Sequence, residues 1–482
     1  MTSVRRFPPN FVWGSATAAY QIEGAAQEGG RGPSIWDTYS HTPGLVKNGD
    51  TGDVADDHYH RWEEDIAHMK KLGLRAYRFS ISWPRVQPGG SGDFNPEGIA
   101  FYKKLVAGLV KAGIKPVATL YHWDLPQELE DQGGWTNRQT ALNFGQYARK
   151  MAEELGNDID VWTTLNEPWC SSYLGYGSGV HAPGRTEPLA ALQAVHHLNL
   201  AHGLAGRAIR EVLGEETQVS ITLNLHVTRM ENPDNPGDQD ALRRIDGLAN
   251  RVFLGPILEG TYPQDVLEDT AGVTNWDFIL DGDTEIIHIP IQVLGVNYYS
   301  TGMVRESETG NVTSDNDGHG SSSHSPWIGS EHVEWLPMPG PHTEMGWNID
   351  PGGMTELLVS LGKKYPNQPL MVTENGAAFA DEVTADGRVH DQRRVEYLHD
   401  HIAAVFDAHE AGVDVRGYFA WSLLDNFEWA WGYARRFGII RVDYDTLERI
   451  WKDSAFWYRK LTCTNVLPAV TDIDYERPRT TA

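Results

Sequence analysis

The sequence of 482 residues predicts a single closed barrel of eight parallel strands, a (β/α)8 architecture. Amphipathic helices recur along the chain, and five of them end at a glycine that is followed by a short apolar run. Glycine accepts the left-handed conformation that ends a helix at low energetic cost. The apolar runs are nearly continuous rather than alternating, which is typical of strands buried on both faces. Eight such runs that alternate with helices favour a closed parallel barrel over an open sheet.

The predicted elements follow one another in a regular order. In residues 58–72, Ile66, Met69 and Leu72 lie on one helical face, and the helix is expected to end at Gly73. The other predicted helices end at Gly113, Gly156, Gly214 and Gly412. The predicted strands are FVWGSAT (11–17), RAYRFSIS (75–82), KPVATLYHW (115–123), DVWTTLNEP (160–168), VSITLNL (219–225), VLGVNYYS (293–300), PLMVTENG (369–376) and VRGYFAWSLL (415–424).

The predicted domain organisation is simple. Residues 1–470 are expected to form one barrel domain that carries the active site, and residues 471–482 a C-terminal surface tail, since barrels with inserted loops can exceed 400 residues as one domain. Segment 305–345 is rich in Ser, Gly, Asp, His and Pro, and it contains Trp327 and Trp335. It is expected to be a long βα loop on the rim of the barrel, where ordered long loops are usually functional.

Charge and cysteine content exclude several classes of function. The chain has 66 Asp and Glu against 40 Lys and Arg, and its net charge of −26 repels nucleic acid and anionic lipid. Its two cysteines allow at most one disulfide, which fits a reducing compartment. Residues 1–10 lack the apolar core of a secretory signal, and no run approaches the ~18 apolar residues of a membrane span. A cytoplasmic protein without nucleic-acid or membrane partners is expected, and the sequence leaves open whether it forms a homo-oligomer.

Polar and aromatic residues stand at the ends of the predicted strands, where the active site of such a barrel lies. Two of them are carboxylates, because Glu167 follows TTLN and Glu374 follows MVT. One glutamate at a strand end is more often a salt-bridge partner, but a pair among amides, a histidine and tryptophans is what glycosidic cleavage requires. The other strand-end residues are Gln21, Arg78, His122, Trp123, Asn166, Asn224, Asn297, Tyr299 and Trp421.

Seven blocks of the sequence resemble the motifs of family 1 of the glycoside hydrolases, in the same order and over nearly the full length. They are FVWGSATAAYQIEG (11–24), YRFSISWPR (77–85), YHWDLPQ (121–127), TLNEPWC (164–170), GVNYYS (295–300), VTENG (372–376) and WSLLDNFEWAWGYARRFG (421–438). The resemblance implies a TIM barrel with long βα loops at its C-terminal face. It also implies a retaining β-glucosidase that removes terminal non-reducing glucosyl residues from small β-glycosides and needs no cofactor and no metal. Whether galactosyl or fucosyl residues are also accepted is left open by the sequence.

The resemblance further implies a role for each residue of the site. Glu167 is expected to be the acid/base and Glu374 the nucleophile, with carboxyl groups ~5–5.5 Å apart as in retaining enzymes. Arg78, Tyr299 and Asn297 resemble the groups that support the nucleophile. The residues expected to bind substrate are Gln21, His122, Trp123, Asn166, Asn224, Trp421, Glu428, Trp429 and Phe437. Those expected at the aglycone entrance are Trp169, Leu174 and Trp347.

The last block also bears on substrate charge. Members of the family that cleave 6-phospho-β-glycosides carry Ser, Lys and Tyr where this sequence has Glu428, Arg435 and Phe437. A carboxylate at the first of these positions repels a phosphate and accepts a hydrogen bond from a free 6-hydroxyl. The resemblance therefore implies a non-phosphorylated substrate.

Three other interpretations fit parts of the sequence. A transglycosylating β-glycosidase uses the same residues, so the sequence does not exclude it. A catalytically silent sugar-binding barrel is expected to lack one carboxylate, and both are present here. A metal-dependent hydrolase needs several histidines at strand ends, whereas only His122 ends a strand. Cys170, beside the Asn-Glu-Pro block, has no matching His/Asn constellation and is expected to have no function.

Overall fold

A computed structural model describes residues 4–307, 309 and 318–475 of the chain. The strands in these residues are β1 (Val12–Ala16), β2 (Ala76–Ser80), β3 (Lys115–Tyr121), β4 (Val161–Asn166), β5 (Val219–Asn224), β6 (Val227–Met230), β7 (Val293–Asn297), β8 (Thr301–Glu306), β9 (Val333–Leu336), β10 (Leu370–Asn375), β11 (Val415–Trp421), β12 (Ile440–Val442) and β13 (Arg449–Trp451). Eight of them form a closed parallel barrel in the order β1-β2-β3-β4-β5-β7-β10-β11, and β11 pairs with β1. Each barrel strand lies within one of the eight predicted runs, so the predicted (β/α)8 barrel is confirmed.

The helices pack around the barrel and join its strands. They are α1 (Ala19–Ile22), α2 (Ile35–Ser40), α3 (His58–Lys71), α4 (Trp83–Val86), α5 (Pro96–Ala112), α6 (Gln127–Asp131), α7 (Arg138–Leu155), α8 (Pro188–Leu213), α9 (Pro236–Asp246), α10 (Val252–Leu254), α11 (Gln264–Asp269), α12 (Asp283–Ile287), α13 (Pro351–Lys364), α14 (Gln392–Glu410) and α15 (Asp453–Thr464). Helix α5 shows why these segments are helical. Asn95 caps its first turn, Pro96 occupies the first helical position, and Gly113 ends it with φ 77°.

Irregular strand pairing brings the functional side chains to one end of the barrel. β10 shifts register against β7 between Val372 and Glu374, so that Glu374 lies opposite Asn297. β4 shifts against β5 between Thr163 and Asn166. Such shifts re-aim side chains at the rims of barrels. Both predicted catalytic segments therefore leave the regular ladder where the strands end.

A small sheet lies on the barrel rim, which the sequence did not predict. β8 pairs in parallel with β6 and antiparallel with β9. β9 falls inside segment 305–345, which was expected to be a loop, and this part of the expectation is wrong. A four-residue strand that is only partly buried lacks the continuous apolar run of a barrel strand, and its partner strand β8 is distant in sequence. Residues 308 and 310–317 of the segment lie outside the described residues.

A buried ionic network holds the segment between β11 and β12, which carries Glu428. Asp425 Oδ1 accepts hydrogen bonds from Lys452 Nζ at 2.7 Å and from the Gly438 backbone N–H at 3.0 Å. Asp425 Oδ2 accepts one from Arg436 Nη1 at 2.7 Å. Breaking a buried ion pair by removing one partner typically costs about 3–5 kcal/mol. The network therefore favours one conformation of this segment.

The C-terminal segment lies along α15. Arg459 Nη2 donates to the Asp474 carbonyl at 2.8 Å, and Lys460 forms an ion pair with Asp472. Residues 476–482 of the predicted tail lie outside the described residues, so the division at residue 470 stays a prediction. In the part of the chain that the structure describes, no helix is both long and apolar enough to cross a bilayer.

Candidate active site

The carboxyl ends of the barrel strands surround a cavity of about 670 Å³. The predicted site residues that line it are His122, Trp123, Glu167, Trp169, Asn224, Asn297, Tyr299, Trp347, Glu374, Trp421, Glu428, Trp429 and Phe437. Gln21, Arg78 and Asn166 are fully buried behind this lining and hydrogen-bond to residues within it. The ends of six barrel strands, β3, β4, β5, β7, β10 and β11, thus bring predicted site residues to one cavity, and Gln21 after β1 and Arg78 on β2 lie directly behind it.

Glu374 is buried near the end of β10 and is held by two donors. Arg78 Nη1, on β2, donates to Glu374 Oε1 at 2.6 Å, and the Tyr299 hydroxyl donates to Oε2 at 2.7 Å. The pKa of Glu374 is raised overall, because burial outweighs the lowering by the charge of Arg78 and by the hydrogen bonds from Arg78 and Tyr299. A guanidinium in direct contact stabilises the ionised form of a carboxyl group.

Glu167 directly follows β4 and has a left-handed backbone, with φ 47°. Its Oε1 accepts a hydrogen bond from Asn297 Nδ2 at 2.7 Å, and its Oε2 lies 3.2 Å from Cys170 Sγ. Both of these donors are neutral. Burial, and then the negative charge of Glu374, raise the pKa of Glu167 to about 8. At neutral pH this carboxyl group therefore carries a proton.

The two carboxyl groups consequently differ in protonation, since one favours the ionised form and the other holds a proton. Glu374 contacts a cation that favours its charge, whereas Glu167 is buried next to that charge and forms no ion pair with any residue that the structure describes. One group can attack a carbon atom while the other gives a proton to the departing oxygen. Two titratable groups whose environments separate their pKa values are the signature of such a division of roles.

Asn166 connects the catalytic pair to His122. Its Oδ1 accepts from Arg78 Nη2 at 2.6 Å and from Asn297 Nδ2 at 3.2 Å. Its Nδ2 lies 3.1 Å from His122 Nε2, and the amide is the donor. Burial, and then the charge of Arg78, lower the pKa of His122 well below its ordinary value, so the imidazole is neutral. A neutral ring that accepts at Nε2 carries its proton at Nδ1 and can donate to a substrate hydroxyl.

Glu428 and Gln21 form a second polar wall of the cavity. Gln21 Nε2 donates to the Phe427 carbonyl at 2.7 Å and lies 3.5 Å from Glu428 Oε2. Gln21 Oε1 has no hydrogen-bond partner among residues 4–307, 309 and 318–475. Burial, and then the charges of Glu374 and Glu167, raise the pKa of Glu428 to about 8. A protonated carboxyl group beside an amide can both donate to and accept from the hydroxyls of a sugar.

Aromatic rings form the remaining walls. Trp421 stacks on His122 with ring centroids 5.7 Å apart, and Trp429 packs on Trp123 at 4.5 Å. Trp347 contacts Tyr299 at 5.2 Å. Flat apolar faces beside hydrogen-bonding groups suit a ring that is apolar on its faces and polar at its edge.

The small rim sheet adds an aromatic face that the sequence did not assign to the site. Trp327 packs between Trp169, at 5.2 Å, and Trp335, at 5.0 Å, and His226 contacts Trp169 at 4.8 Å. All four line the cavity. The only sequence signal was the presence of two tryptophans in a polar segment. Leu174 is fully buried in the π-helical turn Cys170–Ser178 and is not among the described residues that line the cavity, so its place at the entrance stays a prediction.

Among the described residues, no group of three or more His, Cys, Asp and Glu side chains is arranged to hold a metal ion. The cavity lining described above also contains no Lys or Arg side chain among the residues that the structure describes. The cation nearest to the catalytic pair is therefore Arg78, which lies behind the lining and is already bonded to Glu374 and Asn166.

Known proteins resemble this chain over nearly its full length. The family model "Glycosyl hydrolase family 1" matches residues 3–466. A bifunctional β-D-glucosidase/β-D-fucosidase of Bifidobacterium breve is 52% identical over 462 residues, which cover 94% of this chain and 97% of that protein. The crystal structure of a psychrophilic β-glucosidase from Micrococcus antarcticus has 50% identity and a TM-score of 0.91 and covers 95% of this chain and 98% of that one. A family 1 β-glucosidase from Thermotoga maritima has 44% identity and a TM-score of 0.89, with 97% and 100% covered.

Proposed function

This chain belongs to glycosyl hydrolase family 1, and from that premise we propose that it is a retaining β-glucosidase. It removes terminal glucosyl residues from the non-reducing ends of small β-glycosides, in two displacements through a covalent glycosyl-enzyme. The relative from Bifidobacterium breve is also a β-fucosidase, so β-fucosides are included among the proposed substrates. Transfer of the glycosyl group to an acceptor other than water is the second candidate, because it uses the same intermediate.

The first displacement forms the glycosyl-enzyme. A carboxylate oxygen of Glu374 attacks the anomeric carbon as the bond from that carbon to the leaving oxygen breaks. Glu167 gives its proton to the leaving oxygen in the same step, so the aglycone departs as a neutral alcohol. Arg78 and Tyr299 hold the attacking carboxylate in place and are bonded to different oxygens of it.

The second displacement releases the sugar. Glu167, now ionised, takes a proton from water as the water oxygen attacks the anomeric carbon and the ester bond to Glu374 breaks. Esterification has meanwhile removed the charge of Glu374, which is the second cause of the raised pKa of Glu167. The pKa of Glu167 therefore falls at the stage where the group must act as a base.

The proposal rests on one observation: two buried carboxyl groups face the same sugar-sized cavity, but their neighbouring groups differ in charge. Arg78 neutralises Glu374, whereas Glu167 receives hydrogen bonds from the neutral side chains of Asn297 and Cys170 and is protonated at neutral pH. An inverting enzyme also uses two carboxyl groups, but it holds them ~6.5–9.5 Å apart with a water between them. The stereochemistry of the product therefore tests the proposal directly.

Hydrolysis of 4-nitrophenyl β-glucoside is expected to give β-glucose as the first product, because two inversions restore the starting configuration. Proton NMR of the reaction in its first minutes distinguishes the two anomers before they interconvert. The same enzyme should hydrolyse cellobiose and laminaribiose. α-Glucose as the first product would contradict a covalent intermediate on Glu374.

The enzyme is expected to discriminate strongly against a phosphate at the 6-position. The part of the lining that the structure describes holds the carboxylate of Glu374 and no Lys or Arg side chain, and Arg435 packs on the ring of Trp431 at 4.3 Å, so no cation offsets the charge of a buried phosphate. We expect kcat/KM for 4-nitrophenyl β-glucoside 6-phosphate to be at least about 100-fold below that for the unphosphorylated glucoside.

The ratio of the two kcat/KM values within one variant is the measured quantity, since it cancels any general loss of activity. Glu428→Ser should narrow the gap in favour of the phosphorylated substrate, because it replaces a carboxyl group, which repels a phosphate whenever it ionises, with a neutral hydroxyl donor. Glu331→Ser, at an exposed position on the rim, serves as the matched control and should leave the ratio unchanged. Comparable kcat/KM values for both substrates in the unmodified enzyme would refute this account of the pocket.

A further inference from the structure

We propose that Cys170 is a positioning residue for the acid/base, because its thiol holds Oε2 of Glu167 and favours the ionised form that acts as a base. The inference deepens the function proposed above and rests on the role of Glu167 in it. The thiol was expected to have no function, since the sequence holds no matching His/Asn constellation for it. The structure instead brings the two side chains into contact.

The backbone fixes this contact. Glu167 has a left-handed conformation, and its carbonyl accepts a hydrogen bond from the Cys170 backbone N–H at 3.0 Å. The π-helical turn Cys170–Ser178 begins at this residue. Cys170 is 1% exposed, and its Sγ lies 3.2 Å from Glu167 Oε2. The thiol is therefore a structural neighbour of one carboxylate oxygen and has little freedom to turn away.

The side chain of Asn224 also contacts the sulfur of Cys170. Asn224 Nδ2 donates to Cys170 Sγ at 3.4 Å, and Asn224 itself lines the substrate cavity. A thiol can donate one hydrogen bond and accept another, both of them weak. The sulfur of Cys170 accepts from the amide of Asn224 and donates its S–H to Oε2 of Glu167. The result is a relay from the cavity wall through Cys170 to the acid/base.

The two oxygens of Glu167 then have different donors. Asn297 Nδ2 occupies Oε1 at 2.7 Å, and the thiol occupies Oε2. Hydrogen bonds donated to a carboxylate stabilise its ionised form. The hydrogen bond from Cys170 therefore lowers the pKa of Glu167, against burial and the charge of Glu374, which raise it. The other titratable groups that face Glu167 or its neighbours are Arg78 on β2, His122 after β3, Tyr299 after β7 and Glu428 after β11.

The test is the pH dependence of kcat/KM for cellobiose, whose leaving oxygen needs a proton. Its alkaline limb reports the ionisation of the acid/base in the free enzyme. In Cys170→Ala the ionised form of Glu167 loses a donor, so the limb should move to higher pH by ~0.5–1 unit. Cys170→Ser restores a donor, so its limb should return to within ~0.3 unit of that of the unmodified enzyme.

Two comparisons separate this role from a merely structural one. Cys463→Ala removes the exposed second cysteine and should leave the limb unmoved. Dinitrophenyl β-glucoside, whose leaving group needs no proton, should show no shift in the glycosylation step of Cys170→Ala. A uniform loss of activity on both substrates, with the limb in place, would show that Cys170 only packs there and would overturn the proposal.

A further variant distinguishes failure of this inference from failure of the proposed function. Glu374→Ala is measured in the same series. If it retains activity, the proposed function is wrong, whatever the thiol does. If it is inactive while the limb of Cys170→Ala coincides with that of the unmodified enzyme, only the role of Cys170 is contradicted.

Discussion

Glu374→Ala is expected to lose at least about 10⁴-fold in kcat, because residues that form the covalent intermediate show deficits of that order. The alanine removes the oxygen that attacks the anomeric carbon, and it leaves Arg78 as a buried cation without its carboxylate. The remaining activity should be equally low for substrates with good and with poor leaving groups. Rates of 4-nitrophenol release measure the loss.

Chemical labelling identifies the same residue independently. A 2-fluoro glucoside with a good leaving group should inactivate the enzyme and add one sugar to Glu374, which peptide mass spectrometry locates. Glu382→Ala removes an exposed carboxylate eight positions further along the chain and is the matched control, for which unchanged activity is expected. A label on any other residue would show that Glu374 is not the nucleophile.

Glu167→Gln is expected to separate substrates by their leaving groups. General acid catalysis contributes about 10²–10⁴-fold when the leaving oxygen needs a proton. The variant should therefore lose about that factor on cellobiose but far less in the glycosylation step on dinitrophenyl β-glucoside. Its side chain cannot carry the proton that Glu167, with a pKa of about 8, holds at neutral pH.

Azide gives a second measurement of the same role. In Glu167→Ala the anion should replace water as the second nucleophile, raise the turnover of dinitrophenyl glucoside and yield β-glucosyl azide. Glu216→Gln is the control and should behave like the unmodified enzyme, because this exposed glutamate precedes the first residue of β5, at the end of the strand that lies away from the cavity. Equal losses in glycosylation of both substrates, with no azide product, would show that Glu167 is not the acid/base.

The barrel could be predicted because its strands are buried on both faces. β2 and β4 are buried at every position, so their sequences do not alternate between apolar and exposed polar residues, and β4 ends directly before Glu167. β9 is buried at one of its four positions and pairs with β8 across segment 305–345. Neither its short length nor its partial burial leaves a periodic signal, so the aromatic face around Trp327 went unpredicted.

The positions of the site residues were also easier to predict than their chemistry. Glu167 and Glu374 occur in recognisable blocks, but the protonation of Glu167 depends on Glu374 and Arg78, which come from other strands. Glu428 was expected to be a charged acceptor, whereas burial near both catalytic groups raises its pKa to about 8. The contact between Cys170 and Glu167 depends on a left-handed φ that a glutamate rarely adopts.

Closure of the barrel by β1 and β11 has a consequence for synthesis on the ribosome. Val12 pairs with Gly417 and Ala16 with Trp421, so β1 cannot pair with β11 until the ribosome has synthesised β11. At about 5–20 residues per second this interval is about 20–80 s. Both catalytic glutamates emerge before Trp421 and Glu428, so the nascent chain holds its reactive groups before the pocket for the sugar exists. Activity can therefore arise only after β11 and Glu428 have been synthesised, and the unpaired edge of β1 is exposed to other chains until then.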